Sequence, residues 1–297
     1  MTTPILAALL VGAAVQIQTD TTVNVRSGAR VQVEMMNGTV AVRTWNRSAV
    51  RVQAKHDRRT RVDVRAGSGQ VRVEVENRGG SGNADLVLTV PASVHFRAEG
   101  VSMDADVQGL ESDIDLEAVL GTLRVNGGRG RIALESVEGN IIVEGASGSI
   151  DVSTVNRGIH LSRVSGTVNA ETVNGPIVME RMQTSRVNAE TVNGIIVYDG
   201  ALRADGEYDL STHNGTVWLV VPAAADARIS VTTFNGTVDP SFPVTVRKSS
   251  DTGTQNFVFV VGNGGANVSI ESFGGDVRLR RPGESRPGFR SNPGSTP

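Results

Sequence analysis

One octapeptide occurs twice in this chain, and that repeat constrains the fold more than any other feature. Val168-Asn169-Ala170-Glu171-Thr172-Val173-Asn174-Gly175 returns residue for residue as Val187-Asn188-Ala189-Glu190-Thr191-Val192-Asn193-Gly194, nineteen positions later. Looser copies occupy residues 31–38, 150–158, 208–215, 231–236 and 268–275. The residues that follow alternate apolar with other types, as in Thr39-Val40-Ala41-Val42 and Thr216-Val217-Trp218-Leu219. A short fixed period marks a repeat architecture, in which each unit buries its apolar face by stacking on the next. Glycines fall about nine positions apart at Gly121, Gly130, Gly139, Gly148, Gly158, Gly166 and Gly175. A coil of about 19–21 residues then holds two strands and two turns.

Abundant Val, supported by Thr and Ile, suits a pleated, half-buried surface. Outside the N-terminus no stretch of ten residues or more carries helical periodicity. Residues 20–98 alternate with period two but irregular spacing, at Val23/Val25, Val31/Val33, Val40/Val42, Val50/Val52, Val62/Val64, Val71/Val73/Val75 and Leu86/Leu88/Val90. Residues 99–281 carry the regular coils. Residues 242–256 read as a long loop, and 282–297, rich in Pro, Gly, Ser and Arg, as a disordered tail. Asn-Gly between alternating runs is also a strong hairpin signal, so an antiparallel β-barrel or sandwich is the alternative fold. Near-identical units favour pairing each strand with its equivalent one coil later. The expected fold is therefore all-β, a parallel β-solenoid, with Asn174 over Asn193 and Val173 over Val192 in a continuous Val/Ile core. The corners are expected at Asn37-Gly38, Asn174-Gly175, Asn193-Gly194, Asn214-Gly215 and Asn235-Gly236, with glycine at positive φ and Asn held by a local side-chain bond.

The formal net charge of -2 gives no electrostatic case for nucleic acid. Arg43, Arg47, Arg51, Lys55, Arg58, Arg59, Arg61 and Arg65 make the first 80 residues basic, while 100–145 are acidic; such runs read as solvated strand faces. With no cysteine, disulfides, thiolate metal sites, a cysteine nucleophile and a lipid-modified cysteine are excluded. Residues 5–15 form an apolar run of signal-peptide length, too short to span a bilayer and without the usual basic flank. Residues 1–19 are expected to be a leader, cut after Ala13 or Ala14. The mature protein is then exported to the periplasm, cell surface or extracellular space.

Asn37-Gly38-Thr39-Val40-Ala41-Val42-Arg43-Thr44-Trp45, then Val50-Arg51-Val52-Gln53-Ala54, Leu88-Thr89-Val90-Pro91, and a run of G-x-[IV]-x-[VAL] and Thr-[VHF]-Asn-Gly units follow in order. This arrangement resembles the bacterial putative-adhesin family of β-strand repeats, and it is similar to the head domains of auto-transporter adhesins. The resemblance covers roughly residues 20–281. It implies an exported β-solenoid with no defined catalytic residues.

Four histidines, His56, His95, His160 and His213, show no zinc-protease spacing. His213 stands where other copies carry Val or Phe, as a corner substitute. Asp104/Asp106 and Asp113/Asp115 are the most enzyme-like residues, because paired carboxylates can serve as acid and base in glycoside cleavage. Period-two spacing places each pair on one strand face, as an ordinary solvated face does, and weak divalent-cation binding is a further use for them. No nucleophile elbow, phosphate loop or dinucleotide fingerprint occurs. Arg58-Arg59-Thr60-Arg61 reads as a loop tip. The expected function is an exported, non-enzymatic, adhesin-like binding or scaffold protein, with an envelope-stress accessory role as a narrower variant. The alternative is a polysaccharide lyase or hydrolase on a β-helix. No catalytic residue, metal or cofactor is assigned. The expected protein is a monomer without a membrane span, and its partner is an envelope glycan or surface protein.

Overall fold

The computed structural model describes residues 17–77, 82–251 and 254–287. The apolar run 5–15 and the cleavage point at Ala13 or Ala14 lie outside the described residues, as does the tail from 288. Among the described residues there are twenty-four strands and no helix, in one mixed sheet.

The N-terminal strands are β1 (Ile17–Asn24), β2 (Arg30–Trp45), β3 (Ala49–His56), β4 (Thr60–Gly67), β5 (Gln70–Asn77) and β6 (Ala84–Pro91). Next come β7 (His95–Gln108), β8 (Ile114–Leu120), β9 (Leu123–Asn126), β10 (Arg129–Glu138), β11 (Ile141–Glu144), β12 (Ser147–Thr154), β13 (Ile159–Ser162) and β14 (Ser165–Thr172). Then follow β15 (Ile177–Thr191), β16 (Ile196–Gly200), β17 (Glu207–Thr212), β18 (Val217–Val220), β19 (Ala227–Thr233) and β20 (Val238–Pro240). The last are β21 (Thr245–Asp251), β22 (Thr254–Val261), β23 (Ala266–Ser272) and β24 (Val277–Arg280).

Two parallel tracks run through the sheet. The first passes from β5 to the first half of β2, the first half of β7, then β8, β10, β12, β14, the second half of β15, β17, β23 and β19. The second passes from β6 to the other halves of β2 and β7, then β9, β11, β13, the start of β15, β16, β18, β24 and β20. Antiparallel strands flank both ends. β1, β3 and β6 pair antiparallel, as do β4 and β5, while β22 joins β19 to β21. These strands cover both ends of the first track and the β6 end of the second, edges that would otherwise recruit other strands.

The repeat is shorter than the octapeptide suggests. Ile114, Ile132, Ile150 and Val168 stand side by side at intervals of eighteen. The nineteen-residue step to Val187 contains a register shift beside Gly166 and Thr167, where the chain carries one extra residue. The next step, to Tyr208, accommodates the loop 201–206. There the hydroxyls of buried Tyr198 and Tyr208 both meet the Ala201 carbonyl, and Tyr208 also accepts the Arg203 amide. Burial raises the pKa of both phenols. Inward columns such as Leu116–Leu134–Val152–Ala170 on the first track and Val125–Val143–Leu161–Met179 on the second belong to one buried cluster. Each such aliphatic side chain contributes roughly 1.5–3 kcal/mol of burial.

Five expectations are corrected. Residues 242–256 are not a loop: β21 and β22 form an antiparallel pair there. Asn37-Gly38 lies inside β2, where the chain passes the corner without a break. Residues 17–19 belong to β1, paired with β3, and residues 282–287 are placed, with Arg286 bonded to Glu180 and Asp199. Gly194 does not have a positive φ; a Cβ there would lie 1.9 Å from the Gly175 carbonyl oxygen, so close approach between units is what requires glycine.

Candidate functional site

Each unit turns from the first track to the second at an equivalent corner, four of them Thr-x-Asn-Gly tetrads, and these corners build a surface. At Thr172-Val173-Asn174-Gly175 the threonine points inward, and its hydroxyl donates to the Arg157 carbonyl at 3.0 Å. Thr154, Thr191 and Thr212 do the same to the carbonyls of Gly139, Gly175 and Gly194. The asparagines form an amide ladder: Asn174 donates to Asn156, Asn193 to Asn174, and Asn214 to Asn193, at 2.9, 2.9 and 3.1 Å. The residue between threonine and asparagine points outward. Val173 and Val192 are therefore not core residues but form an exposed ridge, a further correction to the sequence reading.

The ridge is continuous. Met36, Val101, Val119, Val137, Val155, Val173, Val192, His213, Phe273 and Phe234 occupy equivalent positions on successive strands. Val119 remains 46% exposed and Phe273 49%, large values for apolar side chains. At one end the rings of His213, Phe273 and Phe234 stack at 4.8 and 5.0 Å. His213 is thus a corner residue whose ring extends the column.

Two residues before the ridge on each strand runs an acidic column. Glu74, Glu34, Glu99, Glu117 and Glu135 are direct neighbours, followed after Ser153 by Glu171 and Glu190, and after Ser211 by Glu271. Like charges directly opposite are unfavourable. Arg72 relieves Glu34 and Glu74, and Arg97 relieves Glu99. Among the described residues no ion pair reaches Glu117, Glu135, Glu171, Glu190 or Glu271. Between the carboxylates and the ridge lies a groove floored by Gly100, Ala118, Ser136 and the threonines. It widens into hollows of about 420, 310 and 390 Å³ along its length.

The sequence-selected aspartates are not brought together. Asp106 lies on the second track, bound by Arg43 at 2.9 Å, and Asp104 accepts the Thr122 amide. Asp113 and Asp115 border a separate, 610 Å³ hollow that opens over Ala133, where flanking strands carry aspartates. Asp115 pairs with Arg97 at 2.8 Å. In that hollow Ser112 Oγ and Asp113 Oδ2 both approach Nδ1 of His95, at 3.1 and 3.3 Å. A hydroxyl–imidazole–carboxylate relay needs opposite ring nitrogens, so these three do not form one. His56 is buried beside Thr19 and the Asp57 carbonyl. Arg58 and Arg59 sit exposed at the turn before β4. Among the described residues no group of three or more His, Asp or Glu is arranged to hold a metal ion.

On the second track His160 Nε2 lies 3.2 Å from Glu180, which with Asp199 also receives Arg286 from the segment after β24. Burial pushes the Glu180 carboxyl up, but bonds from His160 and Arg286 outweigh it, and its pKa is lowered. Val178 and Val197, outward by alternation, are fully buried beneath this crossing. No helix among the described residues is long and apolar enough to cross a membrane.

No family model matches the chain, and no curated protein does. Among solved structures, similar chains include a putative adhesin from Bacteroides fragilis, 9% identical, over 90% of this chain and 98% of that one, with a TM-score of 0.45. A putative lipid binding protein from Parabacteroides distasonis is 9% identical over 88% and 96%, with a TM-score of 0.42. A putative cell adhesion protein from Clostridium sporogenes is 8% identical over 90% and 99%, with a TM-score of 0.22. Proteins named as putative adhesins are thus among the structural neighbours, in line with the sequence resemblance. At TM-scores below 0.5 these likenesses decide nothing about function.

Proposed function

We propose that this chain is an exported, non-enzymatic binding or scaffold protein of the cell envelope, wound as a monomeric parallel β-solenoid. The winding reading draws support from two parallel tracks that advance by eighteen residues and alternate along the chain. The binding reading rests on one observation: the outward residues at equivalent corner positions line up as an exposed ridge beside a groove, crossing the strands from Met36 to Phe234. Monomeric soluble proteins rarely expose a long contiguous apolar patch without a use for it. Carboxylates that could do acid–base work are instead spread over two tracks, and Asp106 and Asp115 are each held by an arginine.

The test is an array of envelope glycans and surface proteins, probed with the full chain and with Val137→Ser/Val155→Ser/Val173→Ser. Binding by the parent that falls in the variant, without turnover of any polysaccharide, is the expected result. Polysaccharide cleavage that is lost in Asp113→Asn/Asp115→Asn would replace this reading with the enzymatic one. Export is checked separately by the intact mass of the native protein, with a terminus near residue 14 expected.

A further inference from the structure

The corner groove pairs an acidic wall with an apolar one, and this combination selects a partner. Resting on the surface-binding reading above, we infer that the groove takes a cationic amphipathic α-helix laid across the strands. Charge is the first argument. Glu117, Glu135, Glu171, Glu190 and Glu271 stand in one column, interrupted by Ser153 and Ser211. No ion pair reaches them among the described residues, though Glu171 accepts a bond from Asn169 and Glu117 lies in the field of Arg97. The ridge beside them carries no Lys or Arg. An approaching row of Lys or Arg would meet carboxylates held in place by the sheet, and would relieve repulsion the fold otherwise retains.

Geometry is the second argument. Adjacent strands are about 4.8 Å apart, and a helix advances about 5.4 Å per turn. Each helical turn therefore meets about one strand, and the mismatch accumulates slowly. An extended chain returns a side chain to the same face every ~6.7 Å and is out of step within two strands. The ten ridge positions from Met36 to Phe234 span roughly 43 Å, the length of a helix of about 29 residues. The acidic and apolar columns stand two residues apart along each strand, about 6.8 Å, so neighbouring stripes on one helix face reach both. The stacked rings of His213, Phe273 and Phe234 give the groove a broader apolar end, suited to the bulkiest side chain of the partner.

The experiment measures fluorescence anisotropy of a labelled 28-residue Lys/Leu peptide with helical amphipathic spacing, titrated with the full chain. Three comparison probes are a Lys/Ser peptide of equal charge, a Glu/Leu peptide, and anionic phosphatidylglycerol vesicles. Two surface variants, Glu117→Gln/Glu135→Gln/Glu171→Gln and Val137→Ser/Val155→Ser/Val173→Ser, are tested beside the parent, with thermal melting to show that both remain folded. The Lys/Leu peptide should bind, gain helical circular dichroism, and weaken by about tenfold or more in each variant, the first loss shrinking at high salt. Equal binding of the Lys/Ser peptide would reduce the site to an anionic surface and overturn the inference. So would tighter binding of vesicles or of the Glu/Leu peptide, self-association through the ridge in sedimentation, or variants that bind like the parent. If no peptide binds but the envelope array retains a ligand that the valine variant loses, the helical partner is wrong and the surface-binding reading survives. If both assays are blank, both readings fall.

Discussion

Two stretches of this molecule alternate valine with polar residues at the same period, yet only one of them pairs in parallel throughout. From β8 to β18 the ladders are parallel, and each residue stands beside its equivalent in the next unit. In β1 to β6 the same alternation gives both kinds: β2 lies parallel to β5 and β6, while β1–β3, β3–β6 and β4–β5 are antiparallel, with ion pairs such as Arg51–Asp20 and Arg65–Glu74 across them. The central units carry ion pairs too, such as Arg186–Glu207, but add amide and hydroxyl ladders. Alternation thus decides which face a residue takes, while unit length decides which strand it lies beside.

The contrast breaks most sharply at glycine. Gly194→Ala sets a Cβ against the Gly175 carbonyl and should cost about 2–4 kcal/mol. Gly67→Ala, in the β4–β5 hairpin with open space around it, should stay within about 0.5 kcal/mol. Urea midpoints of the two variants measure the difference, and equal shifts would mean that the central units are not in close register. A smaller effect is expected in the amide ladder. Asn174→Ala removes bonds to both Asn156 and Asn193 and should cost about 1 kcal/mol. That loss should be insensitive to salt. Asp20→Asn, which removes the exposed partner of Arg51, should have an effect that disappears at high ionic strength.

The smallest expected difference is in acid. The Arg51 bond holds the Asp20 carboxyl below its ordinary 3.8, and a bond from Thr60 lowers Asp57 in the same way. A depressed carboxylate stabilises the fold above its unfolded pKa, and that stabilisation is lost as pH falls through the lower folded value. As pH falls below about 3.8 toward the lower folded values, limited proteolysis should therefore open β1 and the β3–β4 turn before the central units. Simultaneous cleavage throughout would show that the two regions unfold as one.

The strands and faces were legible in the sequence because Val31/Val33, Val40/Val42 and their successors alternate without ambiguity. The period was misread for a physical reason. The two octapeptides that match residue for residue flank the one step that carries an extra residue beside Thr167, so the clearest repeat is not the typical one. The groove was present in Glu171-Thr172-Val173 as well. Counting outward from buried Ala170 puts Glu171 out, Thr172 in and Val173 out, but an apolar valine in a β-rich chain was assigned to the core. The Arg286 crossing had no local signal, because its partners Glu180 and Asp199 lie far back in the chain.

The parallel neighbour of β17 is β23, sixty positions later, and β19 to β22 are made in between. During N-to-C synthesis, β17 and β18 have an open flank while the chain builds the final layer beyond them. The vacancy closes when β23 slides between β17 and β19, and β24 between β18 and β20. This step is late and non-local, and so among the slowest that this topology requires. Until it is complete, the equivalent strand of a second molecule fits the same slot, which makes this gap the natural place for domain swapping.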